Sequence, residues 1–442
     1  MRAARAGPKP LTVATNELGP EPRPPLSKHA LDFVKAKDKP TSRVKESDMP
    51  AWELTLGSTP ILNAVPSFLA SEDLNEPEGD AEPIIRYWEA LLRKHGHHPY
   101  LLVRYAERLM VLSDAGHALV LLEECLEEMG ALDAEVSPEF EASVEALREH
   151  LDTKTLHTDG NLPDPSLVQL WIPAAMLPMP SDALAPGGHA QVRSDWTQDF
   201  PKGSEALRYM RHLAVETHQV DRTFLITEES MKDIVQDGIA AHRIHVASGS
   251  KIQDPHVIDA ILDDTLTAYE LVCPLVEDPA KLTPEAICEI HQRMMDTARF
   301  QSEYYFPAGV MRSATRNEVF IETGRDKRIQ CCPSTRVEDE MHKICDMARR
   351  HIEEDRMSPF AQAVWLHLAQ VRCIPFEKGN GQVLRMISSI PLMRRGYPPI
   401  SVLSHKRNAY FEAINQAYKG NFDPLARCFV EGMQKGIEGT RP

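Results

Sequence analysis

Apolar and polar positions alternate with a helical period over the second half of the chain. From Ser204 to about Gly436, apolar residues return every three to four positions, which is typical of helices with one buried face. Proline directly after Thr283 and after Ser358 marks two helix starts, because proline fits the first turn. Helices are predicted at 204–220, 227–242, 254–274, 283–300, 334–353, 359–373, 380–395, 404–419 and 422–435. The pattern therefore predicts a mainly α domain over 204–436.

The exception within this domain is the segment 309–332. Val319-Phe320-Ile321 and Ile329-Gln330-Cys331 flank the turn sequence Thr323-Gly324-Arg325-Asp326. Two short apolar runs around a glycine-containing turn predict a β-hairpin.

A second helical region is predicted at 81–152. Apolar residues at helical spacing lie on both sides of the turn Asp114-Ala115-Gly116, over a length close to a 34-residue repeat. This resembles a tetratricopeptide-type unit, and a generic helical hairpin fits the same pattern. The proline-rich residues 1–80 are predicted to be a disordered tail, and the Pro/Gly-rich residues 153–203 a linker.

Composition and charge exclude several classes of protein. Among the 442 residues, 49 Lys+Arg against 65 Asp+Glu give a net charge of −16, which argues against nucleic-acid binding. No apolar run approaches the ~20 residues of a membrane helix, so no membrane partner is expected. The eight cysteines have no CxxC pair, which favours free thiols in a reducing compartment, cytoplasm or nucleus. Pro8 and Pro10 interrupt any amphipathic leader helix, so organelle targeting is not expected.

The stretch Val371–Arg385 carries the candidate chemistry. Gly379-Asn380-Gly381 forms a tight turn before an apolar helix. Free backbone N–H groups and the positive end of the helix dipole make such a turn suited to phosphate. Arg385 lies one turn further and can reach the same anion. An ordinary tight loop is the other interpretation of this triplet.

Residues 374–385 resemble the signature of the Fic (Fido) family, His-x-Phe-x-(Asp/Glu)-Gly-Asn-Gly-Arg-x-x-Arg. Further similarity at 282–291, 308–312, 363–369 and 395–400 extends the resemblance over roughly 205–432. It implies a Fic-type helical bundle with a β-hairpin flap, preceded here by the tetratricopeptide-like region. It also implies AMP transfer from ATP to a Ser, Thr or Tyr hydroxyl of a protein. In the family the His is the general base, the acid holds Mg²⁺, the turn cradles phosphates and the two Arg stabilise their charge.

The chain departs from this signature at three positions. Ile374 replaces the His and cannot accept a proton. Lys378 replaces the acid and repels Mg²⁺, so no metal site is expected, although its charge could serve a phosphate. Gln382 replaces the first Arg. The predicted nucleotide-binding residues are Gly379, Asn380, Gly381, Arg385, Lys378 and Gln382, with Tyr410 from the region of the family's adenine pocket.

A regulatory segment is also implied by the resemblance. Many Fic proteins carry (Ser/Thr)-x-x-x-Glu-(Gly/Asn), whose Glu pairs with the second Arg of the signature. Thr217 to Arg222 is similar, with Asp221 in place of Glu and Arg222 in place of the small residue. Asp221 is therefore a candidate partner of Arg385, and a helix-terminal Asp is the simpler interpretation.

Three functions stay open on the sequence alone. The first is a Fic-domain pseudoenzyme that binds nucleotide weakly, protein partners, or both. The second is an active adenylyltransferase or related phosphate-group transferase. The third is a helical-repeat adaptor. A protein target or partner is expected at the flap, where Val319–Ile321 could add a strand to a peptide, and at the helical region. A homodimer is left open.

Overall fold

The computed structural model describes residues 54–57, 59–70, 73, 75–77, 79–112, 114–160, 168–199, 203–301, 305–322 and 328–441. The chain separates into two compact units. The signature unit contains 171–298 and 338–442, and the hairpin unit contains 38–170 and 299–337. Each is described below by itself.

The described residues are mainly helical, as predicted. In chain order the helices are α1 (Pro60–Asn63), α2 (Ala81–His95), α3 (Pro99–Val111), α4 (Ala115–Ala131), α5 (Pro138–Gly160), α6 (His189–Asp199), α7 (Ser204–Asp221), α8 (Glu228–Asp237), α9 (Pro255–Glu277), α10 (Pro284–Met294), α11 (Arg312–Thr315), α12 (Val337–Glu354), α13 (Pro359–Cys373), α14 (Asn380–Ser388), α15 (Ile390–Met393), α16 (Arg407–Tyr418) and α17 (Asp423–Thr440). The strands are β1 (Val168–Gln169), β2 (Phe320–Glu322) and β3 (Arg328–Gln330). Short 3₁₀ turns lie at Ala174–Met176, Ala241–Arg243, Pro279–Lys281, Ala298–Phe300, Ser334–Arg336 and Ser404–Lys406.

Helix starts in the signature unit follow the local sequence signals. Thr283 Oγ1 accepts from the Ala286 N–H at 3.3 Å, and Ser358 Oγ accepts from the Ala361 N–H at 3.1 Å. Each cap satisfies a backbone donor that the first turn leaves unpaired. The predicted helix 380–395 divides at Ser389 into α14 and α15, since Pro391 has no N–H to continue the ladder.

Helix α13 is the centre of the signature unit. Every side chain from Phe360 to Gln370 is buried, and α14, α15, α16 and α17 pack against the helix. A helix that is buried on all sides can hold the residues after its C-terminus in a fixed place. Those residues are the signature.

The hairpin unit joins α2–α5 to a small sheet. Leu101, Leu109, Leu119 and Leu122 lie in a shared core between α3 and α4. The predicted hairpin is present: β2 pairs antiparallel with β3, with Ile321 opposite Ile329, and β1 pairs parallel with β3. The tetratricopeptide-like identification of α3 and α4 stays a prediction.

The predicted domain boundaries differ from the structure in three places. Residues 1–53 of the predicted tail lie outside the described residues, but Pro60–Asn63 is helical and Leu62 is fully buried beside Leu54 and Leu56. Within the predicted linker, α5 runs to Gly160 and α6 buries Val192 and Trp196. The hairpin segment 299–337, predicted as part of the Fic domain, groups with the N-terminal helices. Proline frequency concealed the apolar contacts in the first two cases.

Across the part of the chain that is described, no helix combines the length and apolar character that a bilayer crossing requires.

Candidate functional site

The site begins where α13 ends. Ile374 follows Cys373 in the left-handed conformation, with φ 47° and ψ 70°, and its N–H donates to Gln370 O at 2.9 Å. A β-branched residue is disfavoured there, because Cβ crowds the backbone, at about 1–2 kcal/mol. The turn therefore imposes the left-handed conformation at the position of the general base, although isoleucine itself disfavours it.

Two polar side chains hold the loop after Ile374. Asn380 Oδ1 accepts from the Phe376 N–H at 3.0 Å, and Asn380 Nδ2 donates to Phe376 O at 2.7 Å. His291 stacks on the Phe376 ring at 3.7 Å between centroids. The His291 Nε2 atom lies 3.0 Å from Lys378 O, which assigns its proton to Nε2. Asn380 is therefore a brace of the turn as well as its second residue.

Gly379 is required by both conformation and space. Its φ is +74°, and a Cβ there would lie 2.6 Å from Met295 Sδ. Only glycine meets both conditions without strain. Helix α14 starts at the next residue, so its first N–H groups are free of helical partners.

The carboxylate of Asp221 lies against the first turn of α14. A Cβ added to Gly381 would be 2.3 Å from Asp221 Oδ2 and 2.7 Å from Oδ1. Asp221 is the last residue of α7, so the position expected for a phosphate is next to a carboxylate of the chain itself.

Arg385 binds this carboxylate and the end of α7. Its Nη2 donates to Asp221 Oδ2 at 2.7 Å and to Thr217 O at 2.9 Å, and its Nε donates to Thr217 Oγ1 at 3.0 Å. The guanidinium is 1 % exposed. Burial opposes its charge, but Asp221 outweighs burial and raises the pKa of Arg385 above its ordinary value.

Gln382 completes the enclosure of Asp221. Its amide is satisfied when the nitrogen donates to Asp221 Oδ2 at 2.8 Å and to Gly379 O at 3.2 Å, while the oxygen accepts from Thr223 Oγ1 at 3.1 Å. The side chain is buried. A neutral amide here contacts the same oxygen as Arg385 does.

Lys378 lies on the exposed side of the turn. Within the described residues, no group of three or more His, Cys, Asp or Glu side chains is placed to hold a metal ion. The expectations about Lys378 and Mg²⁺ stay predictions.

Tyr410 and His367 lie in the core behind Arg385. The His367 Nε2 atom is 2.7 Å from the Tyr410 hydroxyl, and both side chains are buried. Burial, with the charge of Arg385, lowers the pKa of His367 to about 3. Burial raises the pKa of Tyr410 to about 12, although Arg385 opposes it. The Tyr410 hydroxyl already has a partner inside the protein, His367. A nucleotide contact for Tyr410 stays a prediction.

The structure brings five of the predicted site residues into one cluster: Thr217, Asp221, Gly381, Gln382 and Arg385. Gly379 and Asn380 shape the turn beside this cluster, Lys378 is exposed, and Tyr410 is buried behind Arg385. Sequence reasoning gave no role to His291, Thr223 or Met295, which support the turn and Gln382. Only His291 left a signal, as the end of a helix that resembles the family.

Comparison with known proteins adds to this geometry. The model of the Fic/DOC family matches residues 281–392, which include α10, α13, α14 and the turn. Residues 281–392 of this chain are a Fic-family domain. Its described part is mainly helical, and the signature follows the buried helix α13.

Two curated relatives of this Fic protein show how far the similarity extends. It is 27% identical over 164 residues to a protein adenylyltransferase Fic of Nematostella vectensis, which is 37% of this chain and 35% of that protein. It is 30% identical over 82 residues to the Drosophila yakuba protein of the same description, which is 19% of this chain and 17% of that protein. The match thus spans about a third or less of each relative's length.

Two solved structures are also similar to this Fic protein. A Fic domain containing signaling protein from Bacteroides thetaiotaomicron matches 57% of this chain and 97% of its own, with 16% identity and a TM-score of 0.45. Fic-1 from C. elegans matches 82% and 93%, with 17% identity and a TM-score of 0.42.

Proposed function

We propose that this Fic protein is a pseudoenzyme for AMP transfer that binds nucleotide weakly, protein partners, or both. The observation that carries the proposal is Ile374 at the position of the signature His. An alkyl side chain accepts no proton, and the loss of a general base lowers the rate by about 10²–10⁴. The Gly379–Gly381 turn and Arg385 are retained, which supports binding without transfer.

Weak nucleotide binding is supported by the enclosure of Asp221. The first turn of α14 and Arg385 suit a phosphate, but they already face a carboxylate held by Arg385 and Gln382. A phosphate bound at the first turn of α14 would lie against the Asp221 carboxylate. The two anions would repel each other, so a phosphate must displace Asp221. Thr217 and Asp221 are therefore proposed as regulatory residues of the site.

The donors around the turn fit a phosphate better than a magnesium ion. Lys378 stands at the position of the metal-binding acid, and a cation there opposes Mg²⁺ while it attracts phosphate oxygens. ATP is therefore the proposed ligand, bound without a requirement for Mg²⁺.

Protein partners are proposed to bind through the β2–β3 hairpin and the helices α2–α5, in the cytoplasm or nucleus. An active adenylyltransferase is the second candidate, favoured by the intact Gly379–Gly381 turn and by Arg385. A helical-repeat adaptor is the third, favoured by α3 and α4.

Calorimetry of the full chain with ATP, with and without Mg²⁺, tests the binding step. We expect weak binding that is lost in Arg385→Ala and is independent of Mg²⁺. Transfer is tested with labelled ATP. We expect no incorporation of AMP by the wild type or by Ile374→His, because Lys378 still opposes the metal. The triple variant Ile374→His, Lys378→Asp, Gln382→Arg is the one expected to gain transfer. Incorporation by the wild type would overturn the proposal and support the second candidate.

A further inference from the structure

Residues 299–301 and 305–316, called the docked segment below, lie against the helices of the hairpin unit. Its first contact is on α2. Arg299 donates from Nη1 to Glu89 Oε1 at 2.6 Å and from Nη2 to Glu89 Oε2 at 2.8 Å. The Phe300 ring lies beneath two cations, Arg86 at 5.0 Å and Arg299 at 4.7 Å. A bidentate pair of a nearly buried arginine is among the stronger polar contacts.

The second contact is on α4. Tyr305 is buried in the core of the helices, and its hydroxyl lies 3.4 Å from His117 Nδ1. Burial lowers the pKa of His117 to about 3, so the ring is neutral and can accept the phenol hydrogen.

The third contact is the closest. A Cβ added to Gly116, on the first turn of α4, would lie 2.8 Å from Thr315 O and 2.9 Å from Thr315 Cα. Backbone therefore meets backbone at this point, which only glycine permits. The next residue, Arg316, is 2.7 Å from Asp152 Oδ1 on α5 and 3.7 Å from Glu123 Oε1 on α4.

The same segment is tied to the sheet. Arg312 is fully buried and donates to Asn317 O at 3.0 Å and to Cys332 O. The Cys331 N–H donates to Val319 O at 3.2 Å, just beyond β3. A displacement at Thr315 is therefore passed to both strands of the hairpin.

We propose that α2, α4 and α5 form a docking surface whose occupant is the chain's own docked segment, residues 299–301 and 305–316, and that this docking fixes the β2–β3 hairpin. The surface offers the carboxylates of Glu89, Glu123 and Asp152 around buried aromatic rings. It selects a segment with arginine and aromatic side chains. A protein partner that uses this face must present the same chemistry and displace the docked segment. This inference is independent of nucleotide binding.

Hydrogen exchange of the full-length protein tests the proposal with two glycines of one helix. Gly116→Ala forces Thr315 away, whereas Gly130→Ala on α4 has no atom within 4 Å. We expect the amides of Ala314, Asn317 and Cys331 to exchange about tenfold faster or more in Gly116→Ala, with α3 unchanged. Gly130→Ala is expected to leave all of them at wild-type rates.

If the α3 amides also exchange faster in Gly116→Ala, that variant has disturbed the helices themselves. A second pair of variants covers this case. Arg316→Gln removes a cation that contacts Glu123 from the segment, and Arg148→Gln removes one that contacts Glu123 from α5. We expect about three- to tenfold faster exchange of the amides of Ala314, Asn317 and Cys331 in Arg316→Gln alone. Hairpin exchange that is equal within both pairs would overturn the proposal.

Discussion

Ile374 occupies a backbone conformation that its side chain disfavours. The turn after α13 needs a left-handed residue there, and Gln370 O fixes it by a hydrogen bond. Histidine is enriched several-fold in this conformation relative to most residues, and β-branched residues are rare in it. The substitution at the signature position therefore affects stability as well as chemistry.

Ile374→His is expected to raise the free energy of unfolding by up to about 1 kcal/mol. Relief of the crowded Cβ is the reason. Ile374→Val is the matched control, since it stays β-branched and keeps the strain. Denaturant unfolding of both variants measures the difference. If the His variant were less stable than the Val variant, the lost apolar packing of Ile374 would outweigh the relief of backbone strain.

Asp221→Asn is expected to destabilise the protein by about 2–3 kcal/mol, because Arg385 then lies buried without a counter-charge. Asp423→Asn, which removes an exposed partner of Arg427, is expected to cost less than about 1 kcal/mol. If ATP binds as proposed, its phosphate should replace the negative charge that Arg385 has lost. The unfolding temperature should therefore rise more with ATP in Asp221→Asn than in wild type. An equal shift in both proteins would argue against competition between phosphate and Asp221.

At the scale of residues, the sequence predicted a single ion pair of the site but not the hydrogen bonds around it. Thr217 and Asp221 are four positions apart, as in the regulatory segment that the sequence resembles, and this resemblance suggested the pairing of Asp221 with Arg385. The contact of Gln382 with Asp221 and Thr223 could not be proposed, because it depends on which way α7 turns after Asp221.

Helix α17 lies close to backbone at one of its glycines. A Cβ added to Gly432 would lie 1.9 Å from Ser401 O, whereas one added to Gly439 would be no nearer than 3.7 Å to any atom. Ser401 follows Ile400, whose N–H donates to Ser389 Oγ at 2.8 Å. Ser401 cannot move away from α17 without disturbing the hydrogen bond between Ile400 and Ser389.

Gly432→Ala is expected to destabilise the signature unit by about 1–3 kcal/mol through this overlap. Gly439→Ala on the same helix should be neutral or stabilise by up to about 1 kcal/mol, through helix propensity alone. Thermal unfolding compares the two. Equal stability of both variants would show that the backbone at Ser401 can move away from Gly432 without loss of free energy.

Elements with a start signal were predicted closely, and those with only weak periodicity were not. Thr283-Pro284 and Ser358-Pro359 mark the true starts of α10 and α13. Helix α6 was missed, because prolines and glycines precede it and its two buried side chains, Val192 and Trp196, make a short apolar stripe. No local signal could assign 299–337 to the N-terminal helices, since that grouping rests on contacts such as that of Arg299 with Glu89 across the sequence.

Four of the five histidines that are buried among the described residues have a strongly lowered pKa and are neutral. Burial lowers the pKa of His117, His218 and His367 to about 3 and that of His212 to about 4. In the unfolded chain each takes up a proton below about pH 6.5. The unfolded state then binds more protons than the folded state, so stability falls as the pH is lowered from about 6.5 towards 4.

His367→Gln is expected to reduce this pH dependence by about 1.4 kcal/mol per pH unit between pH 5.5 and 4.5. The Gln amide can replace the His367 Nε2 contact with Tyr410 and does not titrate. Urea unfolding at several pH values measures the slope. His256→Gln, the same exchange at an exposed position, is the control variant. An unchanged slope in His367→Gln would show that His367 does not stay neutral.

Under the proposed nucleotide binding, the position of Asp221 makes the affinity for ATP depend on how often its carboxylate withdraws from the turn. If the conformation with the carboxylate withdrawn were about 1% populated, the apparent dissociation constant for ATP would be about 100 times the intrinsic one. The last turn of α7 is tied to α16 by the Arg407 Nε donor, 2.7 Å from Val220 O. A partner that moved this turn would raise affinity for ATP without touching the nucleotide, and by linkage ATP would strengthen the binding of that partner by the same factor.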